Sequence, residues 1–183
     1  MIVKETTLKG LVLIEPDCYG DRRGFFMETW HRERYKELGI EAEFVQDNLS
    51  LSARGVLRGL HFQNPFGQDK LVYVLEGEVF DVAVDIRLGS PTFGQWEGFY
   101  LSADNKRQMI VPKGFAHGFC VMSDRALFAY KCTDFYAPDA EKGILWNDPQ
   151  IGIKWPVEEP LLSEKDLKLP LLKEIKSQEL PVY

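Results

Sequence analysis

Cysteine is scarce in this chain: Cys18, Cys120 and Cys132 are the only three in 183 residues, and none stands in a Cys-x-x-Cys pair or another metal-site spacing. That excludes a disulfide framework and a zinc ribbon, and it reads as the reduced thiols of a cytoplasmic protein. No apolar run approaches the roughly eighteen residues of a membrane span. Met1 to Gly10 carries no apolar signal segment. The expectation is a soluble, cytoplasmic protein without a membrane partner. Basic excess is missing too: 22 Lys and Arg stand against 28 Asp and Glu, a formal charge of -6. Nucleic-acid binders carry a basic surface, so no nucleic-acid partner is expected. Gly-x-Gly-x-x-Gly, the Walker loop, His-Glu-x-x-His and Gly-x-Ser-x-Gly are all absent. Any catalysis has to come from scattered side chains.

What is present is strand after strand. With 45% hydrophobic and 27% charged residues, the chain has the composition of one ordinary globular domain. Leu11–Ile14 and Gly24–Trp30 read as short strands around a turn-rich loop, Tyr19–Gly24. His31–Leu38, closed by Gly39, is the best helix and is too polar for a core helix. From Glu43 onward, Phe44–Leu51, Val56–Gln63, Lys70–Leu75, Val79–Ile86, Gln95–Leu101, Arg107–Val111, Gly114–Val121 and Ala126–Phe135 are apolar runs separated by turn residues. Eight or more such strands with a central cavity predict an all-β fold, an antiparallel jelly roll with short peripheral helices. Gly77-Glu78 reads as a tight hairpin turn. A single domain over 1–183 follows, with N-terminal strands and a helix in 1–42, the jelly-roll core in 43–136 and a peripheral segment in 137–183. Ser163–Lys176 is expected to form helical turns broken by Pro170 on the outside of the barrel.

The stretch Val56 to Gln63, followed by Lys70, places an arginine, a histidine and a lysine in and beside a strand that otherwise looks buried. Strict alternation puts Leu57, Gly59 and His61 on one face and Arg58, Leu60 and Phe62 on the other. A bulge at Gly59 would swing Arg58 and His61 toward one cavity. Of the three histidines, His31 belongs to the polar helix surface, while His61 and His117 are open to either a structural or a functional reading. The flanking glycines of His117 favour function. A metal in a barrel needs three or four converging ligands; His61 is followed two residues later by Gln63, and His117 has no neighbouring histidine. Acid/base chemistry therefore fits better than a metal centre, for which two histidines and a carboxylate are the alternative set. Lys70 is either a strand-end lysine or a cavity cation. Asp81 and Asp85, if buried, need partners. Tyr130 shares parity with Cys132, Asp134 and Tyr136, and it is either core packing or a proton donor. Gln46, Asn48 and Ser50 form a polar row facing water or a cavity.

Seven segments in this order resemble the dTDP-4-dehydrorhamnose 3,5-epimerase family: Arg23–Glu28, Gln46–Asn48, Leu57–Gln63, Gly77–Asp85, Pro112–Phe119, Tyr130–Tyr136 and Leu162–Asp166. The similarity runs from about residue 2 to 172. It implies a cupin-type jelly roll without metal or other cofactor, a homodimer, and a dTDP-4-keto-6-deoxy sugar as substrate on the way to dTDP-L-rhamnose. By resemblance His61 is the base, Asp166 its orienting carboxylate, Tyr130 the acid and Lys70 the cation that stabilises the enolate. His117 binds the sugar or assists that oxygen, and Asp81 competes with Asp166 as a carboxylate partner. Arg23 and Arg58 meet the diphosphate. Phe26, Glu28, Gln46, Asn48 and Tyr136 hold thymidine, with the Arg23–Glu28 segment reaching across from the partner subunit. Three alternatives stand beside this reading: an epimerase acting at C3 alone or C5 alone, a non-catalytic cupin that binds a sugar nucleotide, and a cupin-class keto-sugar isomerase that moves a carbonyl between C3 and C4.

Overall fold

In the computed structural model, which describes residues 1–183, short apolar runs become strands of two facing antiparallel sheets. The six-stranded sheet has the order β1 (Ile2–Glu5), β2 (Val12–Glu15), β10 (Gln108–Val111), β7 (Lys70–Glu76), β12 (Arg125–Cys132), β5 (Gln46–Ala53). The five-stranded sheet has the order β13 (Glu141–Gly143), β6 (Leu57–Gln63), β11 (Phe115–Val121), β8 (Glu78–Asp85), β9 (Trp96–Ser102). Sequence neighbours are divided between the sheets, and this is the antiparallel jelly roll that the strand spacing predicts.

The two sheets meet over Leu13, Val72, Val74, Met109, Val111, Ala126 and Phe128 from one side and Val79, Ala83, Phe115, Phe119 and Val121 from the other. Phe128 is fully buried and stacks on Phe119 at 4.1 Å. Burying one such ring stabilises the fold by about 2–3 kcal/mol. A second apolar cluster lies on the opposite face of the five-stranded sheet. There Leu60, Phe62, Val82, Val84 and Ala116 pack against Ile144, Ile151, Leu172 and Leu180 from the C-terminal segment. With both faces covered, β8 and β11 have no solvent side, which is why neither shows the alternation of a half-exposed strand.

Several expectations are corrected. Gly77 does not close a hairpin: β7 and β8 lie in different sheets, and the chain crosses between them there. The glycine is needed because its φ is +79° and a Cβ would meet the Arg125 carbonyl at 2.1 Å. A local turn signal reports the bend and not which strands pair. The supposed loop at 19–24 is itself a hairpin, β3 (Cys18–Asp21) with β4 (Gly24–Met27), and β4 ends before Trp30. Helix α1 (Arg32–Glu37) is polar overall, yet Tyr35 is fully buried with Ile14, Leu71 and Ile110 beneath it. The C-terminal part is less peripheral than expected, because β13 joins the five-stranded sheet and a turn at Asp166–Lys168 reaches the cavity.

Between Arg58 and His61, β6 holds one residue more than β11 holds between Phe119 and His117, so a bulge sits at Gly59-Leu60. The backbones come close there: a Cβ on Gly118 would lie 2.7 Å from the Arg58 carbonyl oxygen and 3.3 Å from the Gly59 Cα. Gly118→Ala is expected to destabilise the protein by about 1–3 kcal/mol through overpacking. Equilibrium urea denaturation checks this, and a loss below about 0.5 kcal/mol, the usual range for a neutral surface change, would mean the two strands can separate without cost.

Candidate active site

The bulge has a direct chemical consequence. Arg58 and His61 have opposite parity in β6, and both line one cavity of about 470 Å³ between the sheets. His61 and His117 are cross-strand neighbours on the five-stranded sheet. Lys70 and Tyr130 project into the same cavity from β7 and β12 of the six-stranded sheet. The two walls thus carry different groups: histidines on one, lysine and tyrosine on the other.

Each histidine is backed by its own carboxylate. His61 Nε2 lies 2.7 Å from Asp166 Oδ1, and His117 Nε2 lies 2.8 Å from Asp81 Oδ1. The Asp166 carboxylate, ionised, only accepts, so His61 Nε2–H donates to it and Nδ1 is the ring nitrogen left to take up a proton. Burial works to raise the Asp166 carboxyl. The His61 hydrogen bond and charge, with the Gly59 backbone and Ser163, outweigh it and hold the group below the ordinary carboxylate range. Asp81 is the opposite case: burial raises it against the pull of His117 and Lys70. Burial lowers Lys70, while Cys132, Asp81 and Glu141 work to keep it charged. Burial also raises Tyr130, and no hydrogen bond offsets the effect, so the phenol keeps its proton at neutral pH.

A second cavity, of about 330 Å³, shares His61, Lys70 and Tyr130 with the first and adds Gln46, Asn48 and Tyr136. The polar row on β5 therefore faces a cavity and not water. The Tyr136 backbone N–H donates to Gln46 Oε1 at 2.9 Å, which ties the loop after β12 to that row. Asp81 lines neither cavity; it stands behind His117, fully buried. Arg23, Phe26 and Glu28 are also away from both: Arg23 pairs with Asp21 on the exposed β3–β4 hairpin, Phe26 is 70% exposed, and Glu28 pairs with Arg34 of α1.

Two residues at the cavities escaped the sequence reading. Glu141 accepts from the Tyr136 hydroxyl at 2.6 Å and from Lys165 Nζ at 2.5 Å, and Lys165 lines the first cavity beside Asp166. Lys165 was legible as the neighbour of Asp166; Glu141 sits on a three-residue strand with no local signal. No group of three His, Cys, Asp or Glu side chains is arranged to hold a metal ion.

Two facing sheets around a cavity lined by two carboxylate-backed histidines, a protonated tyrosine and a lysine define a cupin-type jelly roll equipped to move protons. A family model described as dTDP-4-dehydrorhamnose 3,5-epimerase matches residues 5–174. The chain is 60% identical over 158 residues to the dTDP-4-dehydrorhamnose 3,5-epimerase of Pseudomonas aeruginosa, covering 85% of this chain and 87% of that protein. It is 56% identical over 169 residues to the enzyme of the same description from Shigella flexneri, covering 91% and 93%. The crystal structure of dTDP-6-deoxy-D-glucose-3,5-epimerase from Legionella pneumophila Philadelphia 1, in complex with dTDP-4-keto-L-rhamnose, matches with a TM-score of 0.97 at 58% identity, covering 100% of this chain and 98% of that one. The chain belongs to the dTDP-4-dehydrorhamnose 3,5-epimerase family.

The Asp166 carboxyl titrates lower in the folded than in the unfolded chain. Its contribution to stability is therefore complete above its unfolded pKa, near pH 4, and is lost as pH falls through the folded value. Asp166→Asn should be less stable than the wild type at neutral pH, with the gap closing below about pH 4. Urea denaturation across that range measures it; a gap independent of pH would dissociate Asp166 from the effect.

Proposed function

We propose that this protein epimerises dTDP-4-dehydro-6-deoxy-D-glucose at C3 and C5 to dTDP-4-dehydro-L-rhamnose, without a metal ion. The observation that carries the reading is the division of the cavity: His61 with Asp166 on one wall, Tyr130 on the other. Protons at C3 and C5 are α to the C4 carbonyl, so their removal leaves an enolate. Inversion needs a base on one face of the ring and an acid on the opposite face. His61 takes the proton at Nδ1, and the Asp166 carboxylate holds the ring and stabilises the imidazolium. Tyr130, kept protonated by burial, returns a proton from the other side. Lys70 faces the oxygen at C4, where negative charge develops, and His117 assists it.

Arg58 meets the diphosphate, while Gln46, Asn48 and Tyr136 in the annexed cavity hold the thymidine. Asp81 acts through His117. Arg23, Phe26 and Glu28 do not reach the cavity of their own chain, and their exposed hairpin is suited to completing the site of a second subunit in a homodimer. A cytoplasmic location fits the substrate and the free cysteines, and no helix is long and apolar enough to cross a membrane.

Proton NMR of the 4-keto sugar nucleotide with the purified protein in D2O tests the reaction, with product drawn off by a 4-keto reductase. Deuterium at both C3 and C5 is expected. Exchange at one carbon points to a single-centre epimerase, and no exchange with the nucleotide bound points to a binding protein. His61→Ala is expected to lower exchange by at least about a hundredfold with nucleotide binding kept. Tyr130→Phe should still exchange protons but lose inversion; unaltered epimerisation would release Tyr130 from its role. Mixing inactive Arg23→Ala and His61→Ala subunits should restore part of the activity if the hairpin serves the partner's site, and no recovery on subunit exchange would confine each site to one chain.

A further inference from the structure

Of the His61–Asp166 pair, only the histidine is held by a sheet. His61 lies within β6, between β11 and β13. Asp166 instead opens a single turn, Asp166–Lys168, in which it alone is buried while Leu167 and Lys168 face solvent. Three residues of turn are too few to be held by their own hydrogen bonds. The chain just before the turn supplies the rest. Leu161 forms a parallel bridge with Val56, next to β6: its amide donates to the Gly55 carbonyl at 2.8 Å, and its carbonyl accepts from the Leu57 amide at 3.0 Å. Two residues on, Ser163 receives the two leading amides of the turn. Its carbonyl accepts from Leu167 at 3.1 Å, and its hydroxyl oxygen accepts from the Asp166 amide at 3.1 Å. Ser163 is also among the groups that hold the Asp166 carboxyl ionised. The strand that carries His61 thus anchors, through Leu161 and Ser163, the turn that carries its partner.

We propose that Ser163 is a positioning residue of the epimerase: its hydroxyl fixes the turn that sets Asp166 Oδ1 against His61 Nε2, and it acts on the reaction only through Asp166. The inference rests on His61 being the base, and it goes further by naming what keeps the carboxylate in register with it. The other ties to the turn do less. Lys165 pairs with Glu141, but the lysine side chain is 60% exposed, and an ion pair in that setting contributes little. The Gly59 amide reaches the carboxylate and leaves the backbone of the turn unheld. Ser163 is the one side chain bonded to the Asp166 main chain. Precise placement matters here, since a misplacement of about 1 Å can cost as much as a hundredfold in rate. Ser163 also lines the first cavity, so direct contact with substrate is the rival role that a test has to separate.

Steady-state kinetics on the 4-keto sugar nucleotide, with a 4-keto reductase in excess, test this on wild type, Ser163→Ala, Ser163→Thr, Asp166→Asn and the double variant Ser163→Ala/Asp166→Asn. Ser163→Ala should lose about fivefold in kcat, the effect of one side-chain bond to a turn amide. Its KM should stay within about twofold of wild type, because no contact with substrate is removed. Ser163→Thr keeps the accepting oxygen and should stay within about twofold in both constants. In the Asp166→Asn background, Ser163→Ala should cost nothing more, since the carboxylate it serves is gone. The ligand-free melting temperature of Ser163→Ala should fall by no more than about 4 °C. An unchanged kcat in Ser163→Ala would overturn the proposal. A raised KM with kcat kept would make Ser163 a substrate contact, and losses that multiply in the double variant would make its effect independent of Asp166; either overturns it as well. So does a melting temperature lowered far enough to account for the lost rate. No turnover by wild type, or full turnover by His61→Ala, removes the reading of the site itself, whereas an active wild type, an inactive His61→Ala and a Ser163→Ala that matches wild type defeat this inference alone.

Discussion

Between Arg58 and His61, strand β6 carries one residue more than β11 does opposite it, and the two backbones pass so closely that glycine is needed on both sides, at Gly59 and Gly118. Without that insertion the period of two would send Arg58 and His61 to opposite faces of the sheet. With it, a cation suited to phosphate and an imidazole suited to proton transfer enter one cavity. The bulge also leaves His61 beside His117 across the strand pair, so that two imidazoles share a wall. The rest of the site is arranged around that wall: Tyr130 and Lys70 face it from the other sheet, and the turn at Asp166 closes on it from behind.

Electrostatics divides the labour among groups that look alike in sequence. Asp81 and Asp166 are both buried and both bonded to a histidine, yet one carboxyl is raised and the other lowered. Burial acts on both in the same direction. The difference lies in depth and in donors: Asp81 is the more deeply buried and one of its oxygens has no partner, whereas Asp166 is met by His61, Ser163 and the Gly59 backbone. Lys70 lies across the ladder from Cys132 and within the field of Asp81 and Glu141, which counters the tendency of burial to strip its proton. The Asp81 carboxylate therefore serves two neighbours, His117 by a hydrogen bond and Lys70 through space.

Covering the five-stranded sheet on both faces has a price in legibility. β8 reads Val79-Phe80-Asp81-Val82-Ala83-Val84-Asp85, in which both aspartates look like candidates for a cavity. One backs a histidine; the other, Asp85, is bound by Arg87, Ser90 and Thr92 at the strand's end. Parity cannot separate them, since both lie on the same side of the strand. The C-terminal segment is similarly opaque. Its composition suggests a polar appendage, but Leu172 and Leu180 are core residues, and Glu141 and Asp166 reach the site. Such long-range packing leaves no periodic trace in the stretch that performs it.

Local chemistry made most of the strands legible, because β-branched and aromatic runs broken by Gly, Asn, Asp and Pro have few other stable conformations. The same local chemistry marked Gly59 as the place where strand β6 departs from strict alternation. It also marked His61, Lys70, His117 and Tyr130 as polar groups in apolar strands, and their place in the family's motifs supplied the chemistry proposed for them. Pairing lay beyond it. Whether Gly77 folded a hairpin or handed the chain to the other sheet, and whether His61 leaned on Asp166 or Asp81, depended on contacts between residues far apart in the chain. Only the closed two-sheet structure decides these, because a hydrogen bond of 2.7 Å from His61 to a residue 105 positions away is a property of the packing and not of either segment alone.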